Sequence, residues 1–146
     1  MKNLRFLVFL IVLALALTLG VSTAFAHGGR PLSATLSGAN EIGGGDPDGS
    51  GSASLTLNPG QGEVCFHITV SNLATITAAH IHAAPAGTNG PVVVNFNPVV
   101  NGLNNCVSAD RELIKAIMQN PENYYVNVHT TEFPGGAIRG QLSKGD

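Results

Sequence analysis

Alternating apolar and polar positions predict short β-strands along most of the chain. In segment 64–70, the apolar residues Val64, Phe66, Ile68 and Val70 alternate with Cys65, His67 and Thr69. A period of two places the apolar set on one buried face. Turn-forming clusters of Gly, Pro, Asn and Asp separate this segment from six others, at 33–37, 52–57, 77–82, 92–96, 124–130 and 137–142. Because short strands at such spacing are typical of sandwiches, we predict an all-β, antiparallel β-sandwich of about seven to eight strands.

One segment has helical periodicity instead. Between 109 and 119 the apolar residues Leu113, Ile114, Ile117 and Met118 recur three and four positions apart. Ser108 is a suitable N-cap, and Pro121 follows the end of the segment. The pattern predicts one short helix, packed over an end of the sheets.

The first 26 residues have the features of a secretory signal peptide. Lys2 and Arg5 precede an apolar run at 6–19, and the small-residue sequence Ala24-Phe25-Ala26 follows it. The run is shorter than the roughly 20 residues that a membrane span requires. We therefore expect a signal peptide at 1–26, with cleavage after Ala26 or Ala24, and one exported domain at 27–146 without a membrane span. Its location would be secreted, extracellular or periplasmic.

The charge distribution argues against a nucleic-acid partner. Two of the seven basic residues lie in the predicted signal peptide, and all nine acidic residues follow it. The exported part is therefore acidic, and its few basic residues are too scattered to form the stripe that phosphate backbones require.

Two cysteines, Cys65 and Cys106, lie in the exported part of the chain. Exported proteins meet an oxidising compartment, and the two residues lack the C-x-x-C spacing of a redox pair. We predict a disulfide between them.

Three of the five histidines can converge on one metal ion. His80 and His82 form an H-x-H sequence in a predicted strand, so both rings leave the same face. His129 lies in strand 124–130, on a polar face with Asn127. If the two strands are neighbours, three neutral imidazoles form a site for copper or zinc. The alternatives are a polar scaffold held by hydrogen bonds, or acid–base catalysis by one histidine.

A separate copper site is predicted at His27, if cleavage follows Ala26. His27 would then be the first residue, with its α-amine and imidazole both free to bind the ion. Cleavage after Ala24 would remove this chelate.

Five sequence strings, in order, carry a family resemblance. They are LSGANE at 36–41, AAHIH at 78–82, GPVVV at 90–94, YVNVHT at 125–130 and GAIRGQL at 136–142. Together they resemble the CHRD domain, first described in chordin, over about 32–142. The resemblance implies an extracellular, β-sandwich-like module whose molecular activity is poorly defined for the family. It also implies a polar signature, formed by Glu41, His80, His82, Asn127, His129 and Arg139.

Two structural hypotheses follow from this signature. Glu41 and Arg139 are among few charges in a chain with 11% charged residues, and we expect them to pair with each other or with the histidine face in a partly buried network that includes Asn127. The H-x-H sequence is also similar to the copper ligands of Cu/Zn superoxide dismutase, another β-sandwich. We expect the sandwich to be an immunoglobulin-like or superoxide-dismutase-like Greek key. A fourth histidine and a bridging ligand, which a dismutase needs, are not evident.

The sequence therefore favours an extracellular binding or structural module with a transition-metal site, and its partner would be a metal ion or an extracellular protein. An enzyme is the first alternative, either a copper-dependent oxidoreductase or a hydrolase using the same histidines. No catalytic residue is assigned, because no activated nucleophile or carboxylate pair is evident. The second alternative is a protein-interaction module without metal, using a sheet face or edge strand.

Overall fold

One curved antiparallel sheet encloses the core, which is formed by its apolar side chains. The computed structural model describes residues 28–99, 101–102 and 104–145, so the predicted signal peptide and His27 lie outside the described residues. The strands are β1 (Arg30–Ser37), β2 (Ser50–Asn58), β3 (Glu63–Ser71), β4 (Ile76–Ala83), β5 (Val92–Asn95), β6 (Asn104–Ser108), β7 (Tyr124–Thr130), β8 (Ile138–Gln141) and β9 (Ser143–Lys144). Helix α1 (Arg111–Gln119) lies between β6 and β7, and short 3₁₀ turns occupy Gly38–Asn40 and Pro121–Asn123.

The strands form a single sheet in the order β5-β4-β7-β8-β1-β2-β3-β6, with β9 paired to β1. Phe66 on β3 contacts Phe96, just after β5, with ring centroids 4.4 Å apart. This contact brings the two ends of the sheet together, so the sheet is nearly closed and barrel-like. The predicted all-β class, antiparallel pairing and single helix are confirmed. The finer expectation of an immunoglobulin-like or superoxide-dismutase-like sandwich is not established by this single sheet.

The alternating pattern of β3 is confirmed by burial. Val64, Phe66 and Ile68 lie in the core, where they pack with apolar residues from the other strands. The pattern arises because successive side chains of a strand point to opposite faces of the sheet. The core face of β4 and β7 is equally apolar, with Ile81 and Val126 fully buried, and the polar residues of these strands therefore lie on the outer face.

Helix α1 covers one end of the core with Ile114 and Ile117, both fully buried. The N-cap is Asp110 and not Ser108, which is the last residue of β6. One carboxylate oxygen of Asp110 accepts hydrogen bonds from the backbone N–H groups of Glu112 and Leu113, at 2.9 and 3.0 Å. An N-cap contact of this kind satisfies donors that the first turn leaves unpaired. No helix in the described ranges has the length and apolar character needed to cross a membrane.

Strand β6 lies at an edge of the sheet and is held to β3 by the predicted disulfide. Cys65 and Cys106 are directly opposite each other in the β3–β6 pairing, and the disulfide between them is present. Apolar periodicity did not predict β6, because its sequence NNCVS has no alternating apolar face. The cross-strand bond compensates for this weak burial by fixing the edge strand covalently.

Removing both cysteines, with Cys65→Ser and Cys106→Ser, should lower the free energy of unfolding by roughly 3–4 kcal/mol. The reason is that the disulfide joins residues 41 positions apart and restricts the unfolded chain. Urea denaturation of the variant and of the reduced wild type should give matching midpoints. A loss below about 1 kcal/mol would contradict the stabilising role.

Candidate metal centre

The pairing of β4 with β7 collects three histidines on the outer face of the sheet. Ala78 lies opposite His129, His80 opposite Asn127, and His82 opposite Tyr125. Because alternate residues share a face, His80, His82 and His129 all project from the same side. This side is opposite the apolar core, and each of the three residues is half-buried.

The three imidazoles are close enough to share a small ion. Their ring centroids are 5.0 Å apart for His80 and His129, 5.6 Å for His80 and His82, and 6.4 Å for His82 and His129. One ring nitrogen from each residue lies within 4.8 Å of those of the other two. We call these three residues the histidine trio.

Backbone carbonyls fix the protonation of two members of the trio. His82 Nδ1 lies 2.9 Å from the carbonyl oxygen of Gly90, and His129 Nδ1 lies 2.9 Å from that of Pro134. A carbonyl oxygen only accepts hydrogen bonds, so in both neutral rings Nδ1 carries the proton. In the neutral form of each ring, the Nε2 atom is consequently unprotonated and carries a lone pair. Carbonyl contacts of this kind orient metal-binding histidines in proteins.

His80 completes the trio through a contact with His129. His80 Nδ1 lies 3.2 Å from His129 Nε2. Because His129 Nε2 has the lone pair, His80 Nδ1 is the donor in this hydrogen bond. A metal ion at the trio would replace this single hydrogen bond with bonds to the ring nitrogens.

The surroundings favour neutral imidazoles. The pKa of His80 is lowered from 6.5 to about 4, mainly by burial and further by the nearby His129 and His82. Burial is also the main cause that lowers the pKa of His82, and its hydrogen bond to Gly90 opposes the shift. Neutral imidazole is the form that coordinates metal ions, so the lowered pKa values of His80 and His82 favour the metal-binding form of these two rings.

A buried ion pair lies beside the trio on the same face. Arg139 on β8 contacts Glu41, which follows the first 3₁₀ turn, through Nη2 to Oε2 at 2.6 Å and Nε to the same oxygen at 2.7 Å. The side chains are only 9% and 2% exposed. The second oxygen of Glu41 accepts a hydrogen bond of 2.5 Å from Nδ2 of Asn127 on β7. Glu41, Asn127 and Arg139 thus form one connected network.

Tyr125 links this network to the trio. Its ring stacks on His82, with centroids 4.8 Å apart and planes within 6° of parallel. The guanidinium carbon of Arg139 lies 4.5 Å from the centroid of the same tyrosine ring, a distance suited to a cation–π interaction. The Tyr125 hydroxyl accepts a 3.3 Å hydrogen bond from the N–H of Gly90, whose carbonyl orients His82.

Two loops, one containing Gly90 and the other Gly136, cover this face, and their glycines allow a close approach. A Cβ atom on Gly136 would lie 2.7 Å from Glu41 Oε1 and 2.8 Å from Asn127 Nδ2, and its φ of +139° also disfavours other residues. A Cβ atom on Gly90 would lie 2.1 Å from the carbonyl oxygen of Ala83. The two loops therefore depend on glycine where they cover the network and His82.

Two buried atoms on this face have no hydrogen-bond partner among the described residues. They are His82 Nε2 and Asn127 Oδ1. Such atoms are uncommon in folded proteins and call for a ligand, water or ion.

A second cluster of metal-binding residue types, formed by Glu63, Cys65 and Cys106, has both of its cysteine sulfurs in the disulfide. The trio is therefore the better candidate for a metal site within the described ranges.

Sequence reasoning named the trio and the residues of the ion-pair network, and the fold places them on one face. His67 is elsewhere, on β3, paired with Ser54 and Asn104. The supporting roles of Gly90, Pro134 and Tyr125 are not evident from the sequence. Two of these residues act through backbone carbonyls, which leave no side-chain signal. The string GPVVV at 90–94 contains Gly90 but does not reveal its contact with His82.

Arg139→Ala should lower the free energy of unfolding by about 3–5 kcal/mol, because it leaves the buried Glu41 carboxylate without its cation. Denaturant titration would measure the loss. Lys115→Ala is the matched control, since it removes an exposed pair with Glu112 and should cost less than about 1 kcal/mol. Equal effects of the two substitutions would contradict the importance of the buried pair.

Acid should destabilise the metal-free protein through His80. The unfolded chain protonates this residue near pH 6.5, whereas its pKa in the folded state is about 4. Unfolding therefore takes up a proton between these values, and the stability contributed by neutral His80 is lost as the pH falls from 6.5 toward 4.

Thermal unfolding in the presence of a chelator checks this expectation. The melting temperature should fall less steeply over this range in His80→Asn than in the wild type. The same slope in both proteins would contradict the assignment to His80.

Comparison with known proteins identifies the family. The profile of the CHRD domain matches residues 32–142, which include all nine residues of the histidine trio, the ion-pair network, Tyr125 and the disulfide. No curated protein and no solved structure matches the chain. Since the match covers most of the sequence, this chain belongs to the CHRD domain family.

Proposed function

We propose that this protein is an exported binding module that holds one zinc or copper ion at His80, His82 and His129. Export rests on the predicted signal peptide, and the disulfide is consistent with an oxidising compartment. The CHRD family match supports an extracellular module. The metal site gives this module a specific chemistry.

The observation that carries the proposal is the pair of hydrogen bonds from Nδ1 of His82 and His129 to backbone carbonyls. They leave both Nε2 atoms as lone-pair donors, and one of these, on His82, is buried without a partner among the described residues. A polar scaffold would instead be expected to satisfy that nitrogen internally. The hydrogen bonds thus favour metal binding over the scaffold interpretation.

The donor set fits zinc or copper. Neutral imidazole suits both metals, and hard ions such as calcium prefer oxygen ligands. Zn–N bonds of about 2.0–2.1 Å in a tetrahedral site place the nitrogens about 3.4 Å apart. The three donors lie within 4.8 Å of one another, so a small inward movement of the half-buried rings produces this geometry.

An enzymatic role is the second candidate, and the number of ligands favours it. The trio supplies three protein donors, whereas structural zinc sites are closed by four. Three histidines with a free fourth position are typical of catalytic metal centres. A second metal, as in a Cu/Zn dismutase, has no free ligand cluster among the described residues.

Isothermal titration with zinc and with copper tests the proposal. The exported form should carry His27→Gln, which removes the N-terminal copper chelate. We expect one ion per chain, and a loss of affinity of at least about 100-fold in both His80→Ala/His82→Ala and His129→Ala, because each removes ligands directly. His67→Ala, outside the trio, is the matched control and should bind as the parent does.

The outcomes separate the candidates. Zinc and copper binding that is absent from the parent, or that persists in both trio variants, would overturn the metal site. Copper binding seen only when His27 is present would place the ion at the N-terminus. Redox turnover by the copper-loaded parent, lost in His129→Ala, would support the enzymatic role.

A further inference from the structure

Asn127 is buried at the centre of the polar face, and half of its amide is unused. The residue is 1% exposed. Its Nδ2 donates to Glu41, but its Oδ1 has no partner among the described residues. Leaving a buried carbonyl oxygen unpaired costs free energy. This oxygen is therefore suited to accept a hydrogen bond from a ligand.

The orientation of the Asn127 amide is determined by its neighbours. The carboxylate of Glu41 only accepts hydrogen bonds, and Arg139 holds that carboxylate in place through two contacts with Oε2. The NH₂ group of Asn127 must consequently face Glu41. The amide oxygen, Oδ1, therefore points away from Glu41. Asn127 presents an acceptor, and not a donor, on the side away from the ion pair.

The sheet register places this acceptor beside the histidine trio. Asn127 lies directly opposite His80, where Cβ atoms of paired residues are about 4.5–5.5 Å apart. On its own strand Asn127 is two residues from His129, on the same face, a separation of about 7 Å. Asn127 is thus next to one histidine of the trio on each strand, His80 on β4 and His129 on β7.

We propose that Asn127 Oδ1 accepts a hydrogen bond from a small protic molecule in the fourth coordination position of the metal. The molecules that fit are those with an N–H or O–H bond on the coordinating atom or on the atom next to it, such as water, hydrogen peroxide or hydroxylamine. Ligands with only acceptor atoms, such as azide, place a lone pair against that of Asn127. This inference rests on the proposed function, since it assigns the open position of the same metal site.

Cobalt(II) provides a visible spectrum that reports ligand exchange at the loaded protein. Hydroxylamine and azide would each be titrated into the wild type and into Asn127→Leu, which has nearly the same shape but no amide. We expect hydroxylamine to bind the variant about five- to tenfold more weakly, as expected for one lost hydrogen bond. Azide should bind as tightly or more tightly, so the two affinities should not fall together.

Glu41→Gln is a second variant, and it should reverse the orientation of the Asn127 amide. Arg139 needs an acceptor, so the oxygen of the new side chain must face Arg139 and its NH₂ must face Asn127. Asn127 then turns its oxygen toward position 41 and its own NH₂ toward the metal ligand. Azide should gain affinity by several-fold, and hydroxylamine should lose it.

The outcomes distinguish this inference from the proposed function. A wild type that takes up no cobalt, zinc or copper overturns both. A wild type that binds metal, but whose hydroxylamine-to-azide preference is unchanged in the variants that fold, overturns the role of Asn127 and leaves the metal site intact. A reduced preference in either variant, with cobalt affinity retained, supports Asn127 as the residue that selects the ligand.

Discussion

The antiparallel register between β4 and β7 brings the histidine trio, Tyr125 and Asn127 together on one face. It places His82 opposite Tyr125, His80 opposite Asn127, and Ala78 opposite His129. A shift of one strand by a single residue would turn its polar set inward and bring apolar residues such as Ile81 to the outer face. The apolar set on the core side therefore fixes the polar set on the other side. The trio forms because the core packs correctly.

The loops over this face create a second, polar interior outside the apolar core. Glu41 reaches Arg139 and Asn127 from one loop, and the carbonyls of Gly90 and Pro134 reach the histidines from two others. Burial under these loops lowers the dielectric around the imidazoles, which depresses the pKa of His80. The loops that bury the ion pair thus also favour the neutral form of His80 and His82.

Local sequence patterns predict the strands and the shared face of the histidines, but not the contacts between distant segments. The alternation in β3 follows from one buried face, whereas β6 has five mostly polar residues at a sheet edge and depends on the disulfide. His80 and His82 share a face because they are two positions apart on one strand, which is a local property. Their proximity to His129 needs β4 to pair with β7, although two strands and a helix intervene in sequence. The orienting carbonyls are supplied by the backbone, which any residue carries.

The concentration of unpaired buried atoms is the strongest physical argument that this face has a function. Three buried side-chain nitrogen or oxygen atoms in the described ranges lack a hydrogen-bond partner, and two of them, His82 Nε2 and Asn127 Oδ1, lie on neighbouring strands of the trio's face. Each costs stability, and a buried ion pair is itself often replaceable by apolar residues without loss. Stability alone therefore favours an apolar face here. The polar face is explained if a bound ion and its ligand satisfy those atoms, because departures from local rules concentrate at functional sites.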